Sequence, residues 1–154
     1  MRFLVTGSIR SDNGPRTILT GALIFFLLFT LAHFAREWNS TGATPAEVQA
    51  SLGQEDFSTQ AILLLEDLHI DLVLFGMALL FIGSVLYQVR GSRRLRNGIF
   101  LTLSTLILLY IVSRFLVPLN EFMAYPVVAL FYGVHTLMFG TLLWILQDLY
   151  RSPQ

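Results

Sequence analysis

The stretch LHIDLVLFGMALLFIGSVLYQV, residues 68–89, decides how this chain must fold. It runs for 22 residues with one aspartate, one histidine and no arginine. At 1.5 Å per residue a helix of that length crosses a hydrocarbon core of about 30 Å. Backbone groups find no water at that depth, so the run must be helical. Opposite charges frame it. Glu66 and Asp67 precede it, and Arg90, Arg93, Arg94 and Arg96 follow it.

Three further runs share its character, at residues 17–35, 99–117 and 122–146. The composition agrees. The chain is 55% hydrophobic and 13% charged, with mean hydropathy +0.66. A soluble domain carries about 25% charged residues, and one of 154 residues cannot hide this much apolar surface. The expected fold class is all-α: an integral membrane four-helix bundle forming a single domain over residues 1–154. The first run follows a polar N-terminal stretch and ends in Leu31-Ala32-His33-Phe34-Ala35, so it reads as an uncleaved anchor rather than a signal peptide.

Arginine placement sets the orientation. Arg2, Arg10, Arg16, Arg90, Arg93, Arg94, Arg96 and Arg151 fall on one side of the four runs. Glu37, Glu47, Glu55, Asp56, Glu66, Asp67, Asp71 and Glu121 fall toward the other. Both termini are therefore expected to be cytoplasmic. All ten cations are arginine, the habit of a GC-rich genome. The expected location is a bacterial inner membrane. The cluster at residues 90–96 is a topology signal that meets anionic headgroups, and nucleic acid is not an expected partner.

The outer segment, residues 37–65, holds a helix-start pattern. Thr44 can cap, Pro45 suits the first helical position and Glu47 completes a capping box. Gly53 is the expected stop, and Val48 and Leu52 share a short apolar face. Ser58 is expected to cap a helix that continues into the second span. Pro118-Leu119-Asn120-Glu121 is short enough to force the last two spans into an antiparallel hairpin.

Without cysteine, disulfides, Fe–S clusters, thiolate metal sites and covalently attached haem are excluded. No nucleotide-binding loop, zinc-protease or nucleophile-elbow motif occurs. Chemistry, if any, must come from ionisable residues within the spans, which are costly to place there. His33, His69, Asp71 and Arg114 are expected in one outer-leaflet layer, rimmed by Arg36, Glu37, Glu66, Asp67 and Glu121. His69, Gly76 and Gly83 recur at heptad spacing, and Glu66-His69 is an E-x-x-H pair. His135 lies alone near the middle of the fourth span, with Tyr132 one turn away.

Three expectations follow. His33 and His69 can be axial ligands of a b-type haem, with His135 as a deeper substitute and Arg36 or Arg114 facing propionates. His33, Glu66, His69 and Asp71 can instead hold a transition metal, or handle quinol protons. Otherwise Arg114 pairs with Asp71 or Glu121 to lock the bundle. The chain is then a non-catalytic accessory or anchor subunit of a larger membrane complex of the respiratory or electron-transfer kind, or a homo-oligomer in the bilayer. The pattern Thr41-Gly42-x-Thr44-Pro45, followed by Leu64-Leu65-Glu66-Asp67-Leu68-His69-Ile70-Asp71, resembles small four-helix inner-membrane proteins of bacteria. The resemblance implies a four-helix membrane bundle and no particular activity.

Overall fold

Apolar composition and helix length are met together in the computed structural model of the chain, which describes residues 13–53 and 57–151. Five α-helices occur among them: α1 Asn13–Ser40, α2 Pro45–Leu52, α3 Phe57–Leu86, α4 Arg93–Leu116 and α5 Ala124–Tyr150. A 3₁₀ turn, Glu121–Met123, leads into α5. The described residues contain no strand. Four helices, α1, α3, α4 and α5, are long and apolar enough to cross a membrane. The expectations resting on Arg2, Arg10, Glu55 and Asp56 lie outside the described residues.

The helices outrun the apolar stretches that announced them. Backbone hydrogen bonding continues past the last apolar residue wherever nothing breaks it, so α1 carries on through Arg36-Glu37-Trp38 to Ser40. α3 starts at Phe57, which places Ser58 inside its first turn rather than at its cap, and it ends at Leu86, three residues short of the run. The chain then turns through Gly91 at φ 136°, a left-handed conformation that favours glycine. Ser92 caps α4 by accepting a hydrogen bond from the Leu95 amide.

α5 is the central element, packing against α1, α2, α3 and α4, and the α4–α5 hairpin is the tightest pair. The core runs along its buried face through Val127, Phe131, Val134, Met138, Leu142 and Ile145. Opposing residues include Phe75 and Ile82 of α3 and Leu103 and Ile107 of α4. The two chain ends of the bundle meet: the Arg16 guanidinium lies over the Tyr150 ring at 4.1 Å, and Thr20 and Tyr150 share a hydrogen bond of 2.9 Å.

At the opposite end, α2 closes over the bundle. Thr44 and Glu47 form the expected capping box, and Pro45 occupies the first turn. Val48 and Leu52 are buried beneath it. Ser51 donates to the Thr41 carbonyl at 2.6 Å, and Gln49 to that of Glu121 at 3.2 Å. Gly42, at φ 102°, makes the turn from α1, and a Cβ there would collide with the Glu47 side chain.

Candidate functional site

Beneath this lid the four long helices pool their ionisable side chains. α1 supplies His33, Arg36 and Glu37, α3 supplies Asp67 and Asp71, α4 supplies Tyr110 and Arg114, and α5 supplies His135. His33, Glu37, Asp71, Arg114 and His135 are each at most 4% exposed, and Tyr110 is fully buried. Burial of so many charges requires partners, and the partners are there.

Arg114 is the hub. Its guanidinium donates to Asp71 Oδ2 at 2.6 Å, to Asp67 Oδ2 at 3.1 Å and to Thr41 Oγ1 at 3.3 Å. It also lies 3.3 Å from Glu37 Oε2. That oxygen accepts from the Tyr110 hydroxyl at 2.8 Å and from Thr41 at 3.2 Å. Arg36 bridges from the rim, donating to Asp67 Oδ1 at 2.9 Å and Asp71 Oδ1 at 3.3 Å. The other oxygen of Glu37, Oε1, is buried without a hydrogen-bond partner and lies 3.4 Å from Arg36.

A second chain runs inward. His33 Nε2 lies 3.3 Å from Asp71 Oδ1, and His33 Nδ1 lies 3.0 Å from His135 Nε2. His135 Nδ1 lies 2.7 Å from the Phe131 carbonyl. The Phe75 ring packs 4.7 Å from His33, and the rings of Phe131 and Phe34 pack 4.8 and 5.4 Å from His135.

The expected pairing of Arg114 with Asp71 is present. The expected meeting of His33 with His69 is not. His69 is exposed, with Nδ1 3.4 Å from the carbonyl of Leu65, and Glu66 is exposed beside it. His69 stands two residues from Asp71, about 200° round a helix of 3.6 residues per turn, so the two side chains leave α3 on opposite sides. The metal set His33, Glu66, His69 and Asp71 therefore divides, two residues inside and two outside. His135 is not alone with Tyr132 either. Tyr132 is exposed, its hydroxyl 3.5 Å from the Ala43 carbonyl, and His135 contacts His33. The reason is depth: α1 extends seven residues beyond His33, about 10 Å of rise, which sinks that side chain to the level of His135.

The geometry bears on ligands. His33 and His135 are in direct contact, which leaves no room for a macrocycle between them. His33, Glu37 and Asp71 do bring one ligand atom each within 4.8 Å of one another, close enough for a metal ion. Two guanidinium groups already engage those carboxylates, however, and a divalent cation would sit among like charges.

Residues 42–154 match the Aq_1264_TM family, a transmembrane helical domain. The chain belongs to that family. No curated protein and no solved structure matches it. In this Aq_1264_TM member the matched region carries Asp67, Asp71, Tyr110, Arg114 and His135, and α1 with His33, Arg36 and Glu37 precedes it. It is a multi-pass membrane protein.

Three members of the cluster escaped the sequence reading. Glu37 stood outside the apolar run and read as rim; the signal was its i, i+4 spacing from His33 within one helix. Tyr110 lies four residues before Arg114 and so faces the same way. Thr41 was part of a turn motif, and nothing in the sequence alone announced its bonds to Arg114 and Glu37.

Proposed function

We propose that this protein is a non-catalytic accessory or anchor subunit of a membrane electron-transfer complex, set in a bacterial inner membrane with both termini cytoplasmic. The observation that supports this most is where its polarity goes. The buried charges engage one another inside the bundle, and the helix faces turned outward are apolar. Phe25 and Leu28 of α1, Met77 and Leu80 of α3, and Leu101 and Leu108 of α4 are all more than half exposed, apt for lipid or for a partner's helices. Outside the spans the described residues offer little more than the eight-residue α2. The acidic side, with the lid, faces outward by the arginine rule.

The test is extraction from the native membrane in mild detergent, followed by native electrophoresis and a reduced-minus-oxidised spectrum of the band that carries the chain. The proposal expects migration well above the 17.4 kDa of the chain, with redox absorbance in the same band. A colourless monomer, taken directly from native membranes, overturns it.

A further inference from the structure

The inward chain contains more hydrogen-bond contacts than two neutral histidines can supply with protons. The Phe131 carbonyl only accepts, so His135 Nδ1 must carry hydrogen. A neutral His135 then presents a lone pair at Nε2, and His33 must donate to it from Nδ1. A neutral His33 would in turn present a lone pair at Nε2 to Asp71 Oδ1, which is also a lone pair. Three contacts need three hydrogens and two neutral imidazoles hold two. All four ring nitrogens are engaged in these contacts or in the bond to the Phe131 carbonyl.

The balance of charge leaves room for that third hydrogen. Around the pair stand Arg36 and Glu37 from α1, Asp67 and Asp71 from α3, Tyr110 and Arg114 from α4. Tyr110 donates its hydroxyl hydrogen to Glu37 and stays neutral. Two guanidiniums against three carboxylates leave one negative charge, at a depth where unbalanced charge is costly. One added proton on the imidazoles cancels it.

We propose that His33 and His135 together bind a single exchangeable proton, held as an imidazolium at His33 that donates to Asp71 Oδ1 and to His135 Nε2. The two guanidiniums on the oxygens of Asp71 leave that proton with the rings rather than with the carboxylate. Among the described residues, the hydrogen-bonded route from the site leads to the lidded side. Asp71 connects through Arg36 to Asp67, whose side chains are each 37% exposed. On the other side of the pair lie Ile82, Leu103, Met138, Leu142 and Ile145, all buried and apolar. The proton is thus loaded and released from one face of the membrane and does not cross it. This inference stands apart from the accessory-subunit proposal, since it needs no partner protein.

The experiment is a nitrogen-15 spectrum of the full chain, labelled at histidine and reconstituted in lipid nanodiscs at pH 6, with exposed His69 as an internal reference. The expected result is one proton more than two neutral rings, summed over His33 and His135. Two neutral rings at that pH overturn the proposal. Asp71→Asn supplies the sharper control. Its amide N–H can donate to His33 Nε2, and it removes the negative charge, so the extra proton should vanish and both rings should become neutral. Retention of the proton in folded Asp71→Asn also overturns the proposal. If that variant does not fold, the wild-type spectrum decides alone.

Discussion

Replacing Arg114 with methionine keeps the length and apolar stem of the side chain and removes its charge. Asp71, Asp67 and Glu37 would then keep one guanidinium, Arg36, between them, and Asp71 would lose its 2.6 Å partner inside the bundle. Breaking a buried pair from one side costs about 3–5 kcal/mol, because the remaining charge is stranded. Arg36→Met removes an equal charge from a side chain that is 37% exposed, where such pairs contribute about 0–1 kcal/mol. The two variants should therefore differ by at least about 2 kcal/mol. Equilibrium unfolding in mixed micelles with rising dodecyl sulfate, followed by tryptophan fluorescence, reads the difference. The double variant Arg114→Met/Asp71→Leu should lose less than the two singles added together, by about 0.5–3 kcal/mol. Equal losses for Arg114→Met and Arg36→Met, or strict additivity in the double variant, would refute the hub role of Arg114.

Other consequences are smaller. Tyr110→Phe removes the 2.8 Å donor to Glu37 and should cost about 1.5–3 kcal/mol in the same unfolding assay. Gly42→Ala forces a side chain into a left-handed turn and onto Glu47, so about 1–3 kcal/mol of strain should appear as faster amide exchange in α2. The Glu47 carboxyl is held below its ordinary value by the Ala43 amide first, then by the Thr44 hydroxyl and amide. The order it gives the lid is thus complete above the ordinary glutamate value and is lost as pH falls through the lowered one. The Ala43 and Thr44 amide shifts should report that loss, and Glu47→Gln should flatten it. His69→Ala, on the exposed face, should change stability by less than about 0.5 kcal/mol.

Length and apolarity made the spans legible, because a bilayer constrains both strongly. Glu47 and Pro45 made the lid legible, since a capping box is a local pattern. The Arg114–Asp71 pair could be read because two opposite charges at one depth have few alternatives. Angular position was harder. His69 and Asp71 were read at one depth, but only the stripe Asp67, Asp71, Phe75, Ala78, Ile82 shows which way α3 faces, and the heptad of His69, Gly76 and Gly83 competed with it. Depth failed for His33 because an apolar run marks where lipid-compatible residues end, not where hydrogen bonding ends. The contact between His33 and His135 joins residues 102 apart in sequence, and no local signal carries it.

Which way the bundle crosses the membrane decides whether the lid and the cluster beneath it face outward. The chain has no cysteine, so single cysteines can report it cleanly. One is placed at Ala46, exposed on α2, and another at Ser92, exposed between α3 and α4. Intact cells, or spheroplasts where an outer membrane intervenes, are treated with a membrane-impermeant maleimide before and after permeabilisation. Labelling of Ala46→Cys from outside, with Ser92→Cys labelled only after permeabilisation, is the predicted result. Labelling in the reverse order, or of both positions from outside, would contradict the orientation and the outward-facing site built on it.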